Sequence, residues 1–368
     1  MDIITGDKLN AWDLIKSFGK CYYTKKFDEI KIDCEIDWGF FLEQVIKHKL
    51  LPLSWLVLKE CGDFEDKVPY YIREFLSNQF LFFEHKTDVY LNKVQKLSRQ
   101  LDKNDINYAL VKGIAIEKEL FGHYYTRQLS DVDLLVSPND SSKIIPILKN
   151  MGFISGRYNY LSHRVESFTR DKLLFFDMTG DHLPDQVLLI NSPIIKSFNL
   201  DLSIDLNWNK NNIQALPNIN LESNVVELNL FEKCSIKVLP LEFHFLYIIL
   251  HLYKHSWSYR MIQRNISVRM SMFFDVLLLW ESFDSNDIQK FLTILVTDEL
   301  KAQVSWVLFH TDSLFKTDIV ESLKLKNYLN NVYSAFGKNY EMLIWDGTIE
   351  DRLVSRNEKN LFRKEEYF

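Results

Sequence analysis

From about Trp12 to Leu101, apolar residues recur at steps of three and four, as in IDWGFFLEQVIKHKLLPLSWLVLKE and YYIREFLSNQFLFFEHKTDVYLNKVQKLSRQL. That spacing lines one face of an α-helix, so the segment is read as several packed helices. Between Asn107 and Trp208 the texture changes to short β-type runs, NYALVK, DVDLLVS, KLLFFDMT and LSIDLNW, separated by the helical stretches GIAIEKELFG and SSKIIPILKNMG. Helical periodicity returns at Leu239, through LEFHFLYIILHLYKHSW, MSMFFDVLLLWE and DIQKFLTILVTDELKAQVSWVLFHT. The pattern predicts an α/β (α+β) fold: a helical part over 1–101, an α/β core with a small mixed sheet over 102–235, and a second helical part over 236–345. The segment 346–368 holds six acids and five bases among few apolar anchors and is read as a solvated, charged tail. With only 11 glycines and 8 prolines, no linker marks these boundaries, which rest on changes of period, and no solenoid-type repeat is evident.

The 368 residues are enough for two packed parts, and 47% hydrophobic with 26% charged residues describes a folded chain rather than a disordered one. A net charge of −6 leaves no excess of basic residues to track a phosphate backbone, which argues against nucleic acid as the general partner. Cys21, Cys34, Cys61 and Cys234 are widely spaced and form no CxxC pair, so neither a zinc knuckle nor a disulfide framework is expected. The opening MDIITGDKLNAWDLIK lacks the features of a secretory signal, and together with the cysteine usage this places the protein in the cytoplasm. The richest apolar run, Leu239 to Tyr253, carries Glu242, His244 and His251 and is shorter than the ~20 residues of a membrane span, so it is read as a buried helix and no membrane partner is expected.

The chemistry concentrates in YALVKGIAIEKELFGHYYTRQLSDVDLLVS. Asp131 and Asp133 are two apart in a strand-like run, so their carboxylates share one face. Like charges held together raise each other's pKa unless a cation compensates them, and hard oxygen ligands of this kind suit Mg²⁺ or Mn²⁺. A bare DxD more often marks a strand edge with two solvated acids; its context separates the two. Upstream, NYALVK ends in Lys112 and Gly113 and opens at once into a helix, whose first N–H groups favour an anion. Lys112 and Arg127 add positive charge on either side of that helix.

This ordered set resembles the nucleotidyltransferase superfamily of DNA polymerase beta, with its Gly turn at a helix start, its [DE]x[DE] and its third acid on a later strand. More closely, LVKG followed by TRQLSDVDLLV is similar to a bacterial family of largely uncharacterised nucleotidyltransferases with a KG…R…DxDLLV core. IDWGFFLEQVIKHKLLPLSWLVL is similar to that family's N-terminal segment, LSIDLNW to its later strand, and LHLYKHSW with MFFDVLLL to its later helices. Asn207 stands where the family usually has His, and Ile114 follows the glycine where the wider superfamily has a small polar residue.

The resemblance implies transfer of a nucleoside monophosphate from an NTP, with ATP expected, to an acceptor hydroxyl on a small molecule, peptide or natural-product intermediate. It implies Asp131, Asp133 and a third carboxylate as ligands of two metal ions, and Lys112, Gly113 and Arg127 on the phosphates. Asp205 in IDLNW is expected to be the third acid and Asp177 in LLFFDMT is its rival, the match to the family deciding between them. His251, Lys254 and His255 fall on one side of a helix. A zinc site would want HExxH, which is absent; a structural cluster and a nucleotide-facing role for Lys254 and His255 remain, and the resemblance favours the second. Asp275, in a strongly apolar helix, is expected to be buried and paired. Two other readings stand beside this one: a binding protein that keeps the fold without turnover, and a toxin-like enzyme that modifies a protein or tRNA.

Overall fold

The computed structural model describes residues 6–33, 35–122, 125–179, 182–204, 219–231 and 234–364. The chain opens with helices α1 (Gly6–Thr24), α2 (Trp38–Lys47), α3 (Leu51–Leu58), α4 (Phe64–Lys67) and the long α5 (Tyr70–Lys103). Next come β1 (Tyr108–Val111), α6 (Gly113–Phe121), β2 (Val132–Val136), α7 (Ser141–Asn150), β3 (Ile154–Asn159), β4 (Arg164–Ser167), α8 (Arg170–Thr179), β5 (Gln186–Leu189), β6 (Ser197–Ser203), β7 (Val226–Phe231) and β8 (Cys234–Val238). The last part holds α9 (Leu241–Trp257), α10 (Tyr259–Gln263), α11 (Met270–Glu281), α12 (Ser285–Ile294), α13 (Asp298–Phe315), α14 (Ile319–Ser322), β9 (Ser334–Phe336), β10 (Met342–Trp345), α15 (Ile349–Val354) and β11 (Phe362–Lys364). Two compact units result: residues 82–125 with 129–244, and residues 1–81, 126–128 and 245–368.

The first unit is built on a mixed sheet of eight strands in the order β4-β3-β5-β6-β2-β1-β8-β7. Only β2 with β6 and β1 with β8 run parallel; the other neighbours are antiparallel. Every residue of β1 and β2 is buried, as expected of central strands covered on both faces. The core joins Tyr90, Leu91, Val94, Leu97 and Leu101 of α5, at helical spacing, to Leu110, Leu134, Phe198 and Leu200 of the sheet and to Ile144 and Leu148 of α7. Side chains on β3 and β4 are mostly exposed, which is why these strands carry no clear apolar alternation in the sequence.

The second unit is helical, with the nearly fully buried α11 in its core and a small sheet in the order β11-β10-β9. Residues 1–81 and 245–345 of the two helical parts read as separate from the sequence thus fall within one unit, while residues 82–101 of α5 and 236–244 belong to the sheet unit. No helix among the described residues is long and apolar enough to cross a membrane, and Phe245 to Leu250 of the apolar run are buried in α9. Cys21 and Cys61 are buried free thiols.

Two expectations are corrected. KLLFFDMT lies within helix α8, because a short apolar run fits a half-buried helix as well as a strand. The segment after Asp346 is not a solvated tail over its described length: Arg352 and Glu358 are both buried. Arg352 Nε donates to Glu358 Oε1 at 2.5 Å, and the guanidinium also bonds Ser267 Oγ at 2.9 Å and the Ser256 carbonyl. The charges that suggested solvation neutralise each other inside the unit.

Candidate active site

On the sheet, β2 lies between β1 and β6, and Asp133 is in register with Val111 on one side and Asp201 on the other. Partners in register share a face, and Asp131, two residues earlier, lies on that same face. Three carboxylates therefore converge from the β2 entrance and the middle of β6. Asp133 is 8% exposed. Burial pushes its carboxyl up to about 7; the Lys112 ammonium acts against this, while the charges of Asp131 and Asp201 add to the rise.

Lys112 Nζ ion-pairs with the Asp133 carboxylate. Its backbone adopts φ 55°, ψ −156° at the junction of β1 and α6, and Gly113 follows with φ 31°. A left-handed conformation of this kind costs a residue with a Cβ about 1–3 kcal/mol. For Gly113 the requirement is conformational rather than steric, since a Cβ there would approach only Leu129 Cδ2, at 3.5 Å. The first N–H groups of α6 have no partner within the helix and carry its positive dipole end, which suits a phosphate.

Around the acids stand further groups that the sequence did not single out. His182 Nδ1 is 3.5 Å from Asp201 Oδ1. Asp185, paired with Arg157 at 3.2 Å, has its carboxyl raised by burial and then by the charge of Asp201. Ser130 Oγ donates to Asp131 Oδ1 at 2.8 Å, and the Tyr90 hydroxyl donates to the carbonyls of Ser130 and Ser197, fixing the approach to β2. Burial lowers the pKa of Lys86 and the charge of Asp131 opposes that shift. His244, fully buried, accepts the Lys112 N–H at Nε2 over 3.0 Å, and its Nδ1 lies 2.8 Å from Glu119 Oε2.

Of the residues expected from the sequence, Lys112, Gly113, Asp131 and Asp133 come together in the sheet unit. Asp205 lies outside the described residues; the described strand of that segment ends at Ser203 and contributes Asp201. Asp177 is on helix α8 rather than a strand. Arg127, Lys254 and His255 belong to the helical unit. There Arg127 grips Asp275 with both guanidinium nitrogens, one of them at 3.0 Å, so Asp275 is buried and paired as expected, with Arg127 as its partner. The rings of His251 and His255 lie 4.4 Å apart on α9. A nucleotide role for Arg127, Lys254 and His255 stays with the resemblance alone.

A divalent metal fits the donor chemistry, since the clustered groups are carboxylates offering hard oxygen donors, with Asp133 held above its ordinary value in spite of the Lys112 ammonium. Among the described residues no three His, Cys, Asp or Glu side chains form a metal-ligating group as they stand.

The chain belongs to the family described as "Uncharacterised nucleotidyltransferase", which matches residues 34–316, more than three-quarters of its length. Among solved structures it is similar to an antigenic nucleotidyltransferase-like protein from Paracoccidioides brasiliensis, at 16% identity and a TM-score of 0.33, covering 58% of this chain and 92% of that one. None of the curated proteins compared with it matches.

Proposed function

We propose that this chain transfers a nucleoside monophosphate from an NTP, ATP being expected, to an acceptor hydroxyl. The observation that carries the reading is the register of Asp133 with Asp201, with Asp131 on the same face and the Lys112–Gly113 turn ion-paired to Asp133. Family membership supports the reaction class.

In this reading the Lys112 ammonium and the first N–H groups of α6 bind the triphosphate. Asp131 and Asp133 would hold Mg²⁺ or Mn²⁺, completed by Asp205 as the sequence proposes or by Asp201 as the register proposes. When bound, the metal supplies charge neutralisation of the triphosphate and alignment of the attacking and leaving oxygens. A carboxylate oxygen of Asp201 or Asp205 takes the acceptor's proton; the bond from the acceptor oxygen to the α-phosphorus forms, the bond to the β-phosphate oxygen breaks, and pyrophosphate leaves. The protein's contribution is positioning and charge stabilisation.

The test is incubation of the full chain with each NTP, Mg²⁺ and a metabolite extract, following pyrophosphate release and the molecule that gains a nucleotide's mass. Metal-dependent pyrophosphate release that disappears in Asp133→Asn supports the proposal. Equal release by Asp133→Asn, or none from any NTP and extract, refutes it.

A further inference from the structure

We infer that His244, oriented by Glu119, is a positioning residue that fixes the left-handed turn at Lys112 and, through it, the start of α6. The inference deepens the proposed function, because it rests on reading that turn as the phosphate-binding element. Glycine would enter the turn without strain, yet the chain places a lysine there, whose ammonium reaches Asp133. A lysine in this conformation persists only if its surroundings hold it.

Asp133 holds the lysine's ammonium and His244 its peptide N–H. The histidine sits at the first turn of α9, fully buried, and its Nε2 accepts the Lys112 N–H at 3.0 Å. A ring nitrogen that accepts carries no proton, so the neutral ring holds its proton at Nδ1. That edge lies 2.8 Å from Glu119 Oε2, too bent for a hydrogen bond, so the carboxylate acts on the ring through its charge, which favours the proton on the near nitrogen. Glu119 is on α6 itself, the helix the turn begins. The pair therefore closes a loop: the helix holds the carboxylate, the carboxylate orients the ring, and the ring holds the peptide at which the helix starts. Sheet register does not substitute for this bond, because Lys112 lies one residue beyond the end of β1.

The experiment has two readouts. The first is a double-mutant cycle on apparent melting temperature, made with His244→Ala and Lys112→Gly. If His244 restrains a strained lysine, His244→Ala costs clearly less in the Lys112→Gly background, where glycine adopts the turn unaided; additive effects overturn the inference. The second is ATP-dependent pyrophosphate release. His244→Ala is expected to raise KM for ATP about tenfold, the loss of one buried hydrogen bond, with kcat changed less. His244→Gln, which keeps an acceptor at similar reach, should recover most of that loss and also serves should the alanine variant fail to fold. An unchanged KM for both variants in an active protein overturns the inference. A wild-type protein inactive with every NTP refutes the proposed function instead, and the melting cycle still decides whether His244 fixes the turn.

Discussion

Replacing Asp133 by Asn keeps the shape of the side chain and removes a charge that the fold holds at a cost. The carboxyl is pushed from its ordinary 3.8 up to about 7, first by burial and then by Asp131 and Asp201. A folded-state value above the unfolded one means that, between those two values, the folded protein keeps a proton the unfolded chain has lost. Stability therefore falls as pH rises through this window and levels off above about 7. At ~1.4 kcal/mol per unit, the ionised group disfavours folding by at most about 4 kcal/mol at pH 8. That limit already contains the opposing pull of the Lys112 ammonium, and an amide that packs less well than the carboxyl it replaces lowers the gain further. The expected net is a metal-free Asp133→Asn protein more stable than wild type by about 1–3 kcal/mol at pH 8, a rise of a few degrees in melting temperature for a chain of this size. The advantage should shrink as pH is lowered toward 4.5, where wild-type Asp133 is protonated in the folded state. Melting of both proteins at pH 8, 6 and 4.5 in chelator measures this, with pyrophosphate release as the companion assay. A variant that melts several degrees below wild type at pH 8, or a difference that does not change with pH, would refute the reasoning and make Asp133 a structural anchor.

Adding Mg²⁺ should raise the wild-type melting temperature and leave Asp133→Asn unmoved, because a ligand stabilises only the state that binds it; equal shifts would place the metal elsewhere. Lys112→Met deletes the ammonium and keeps most of the stem, so KM for ATP should rise about ten- to a hundredfold, the worth of a charge-assisted contact of about 1.5–3 kcal/mol; wild-type kinetics would remove Lys112 from the phosphate site. Glu358→Gln leaves the fully buried Arg352 guanidinium without its counter-charge and should destabilise by about 3–5 kcal/mol, read as a fall of about 6 °C or more in melting temperature; a change under 2 °C would show that the Ser256 and Ser267 bonds suffice.

Asp131 and Asp133 were readable from the sequence because two acids two residues apart stand out at the start of a short apolar run, and the Lys112–Gly113 turn because a glycine at a strand-to-helix junction has a conformational reason. Asp201 was not, although NLDLS contains it, because only the β2–β6 register shows that it stands beside Asp133. His244 and Glu119 were equally hidden: each is one of several polar residues in its helix, and their meeting depends on how α6 and the start of α9 lie against β1. Helix α8 was misread because LLFF fits both periods. The Arg352–Glu358 pair was misread because charge counts do not reveal which charges meet.

The interleaving of the two units along the chain has a consequence for biosynthesis. The sheet unit is complete once His244 has been made, whereas the helical unit needs residues 245–368 before its first 81 residues find their partners. At a translation rate of ~5–20 residues per second, the N-terminal helices wait roughly 14–57 s with apolar faces uncovered while the rest of the chain is made and the sheet unit folds behind them. Nascent chains halted near His244 should therefore protect the sheet segment from protease and leave α1 to α3 cleavable, and these helices are where a holding chaperone would bind.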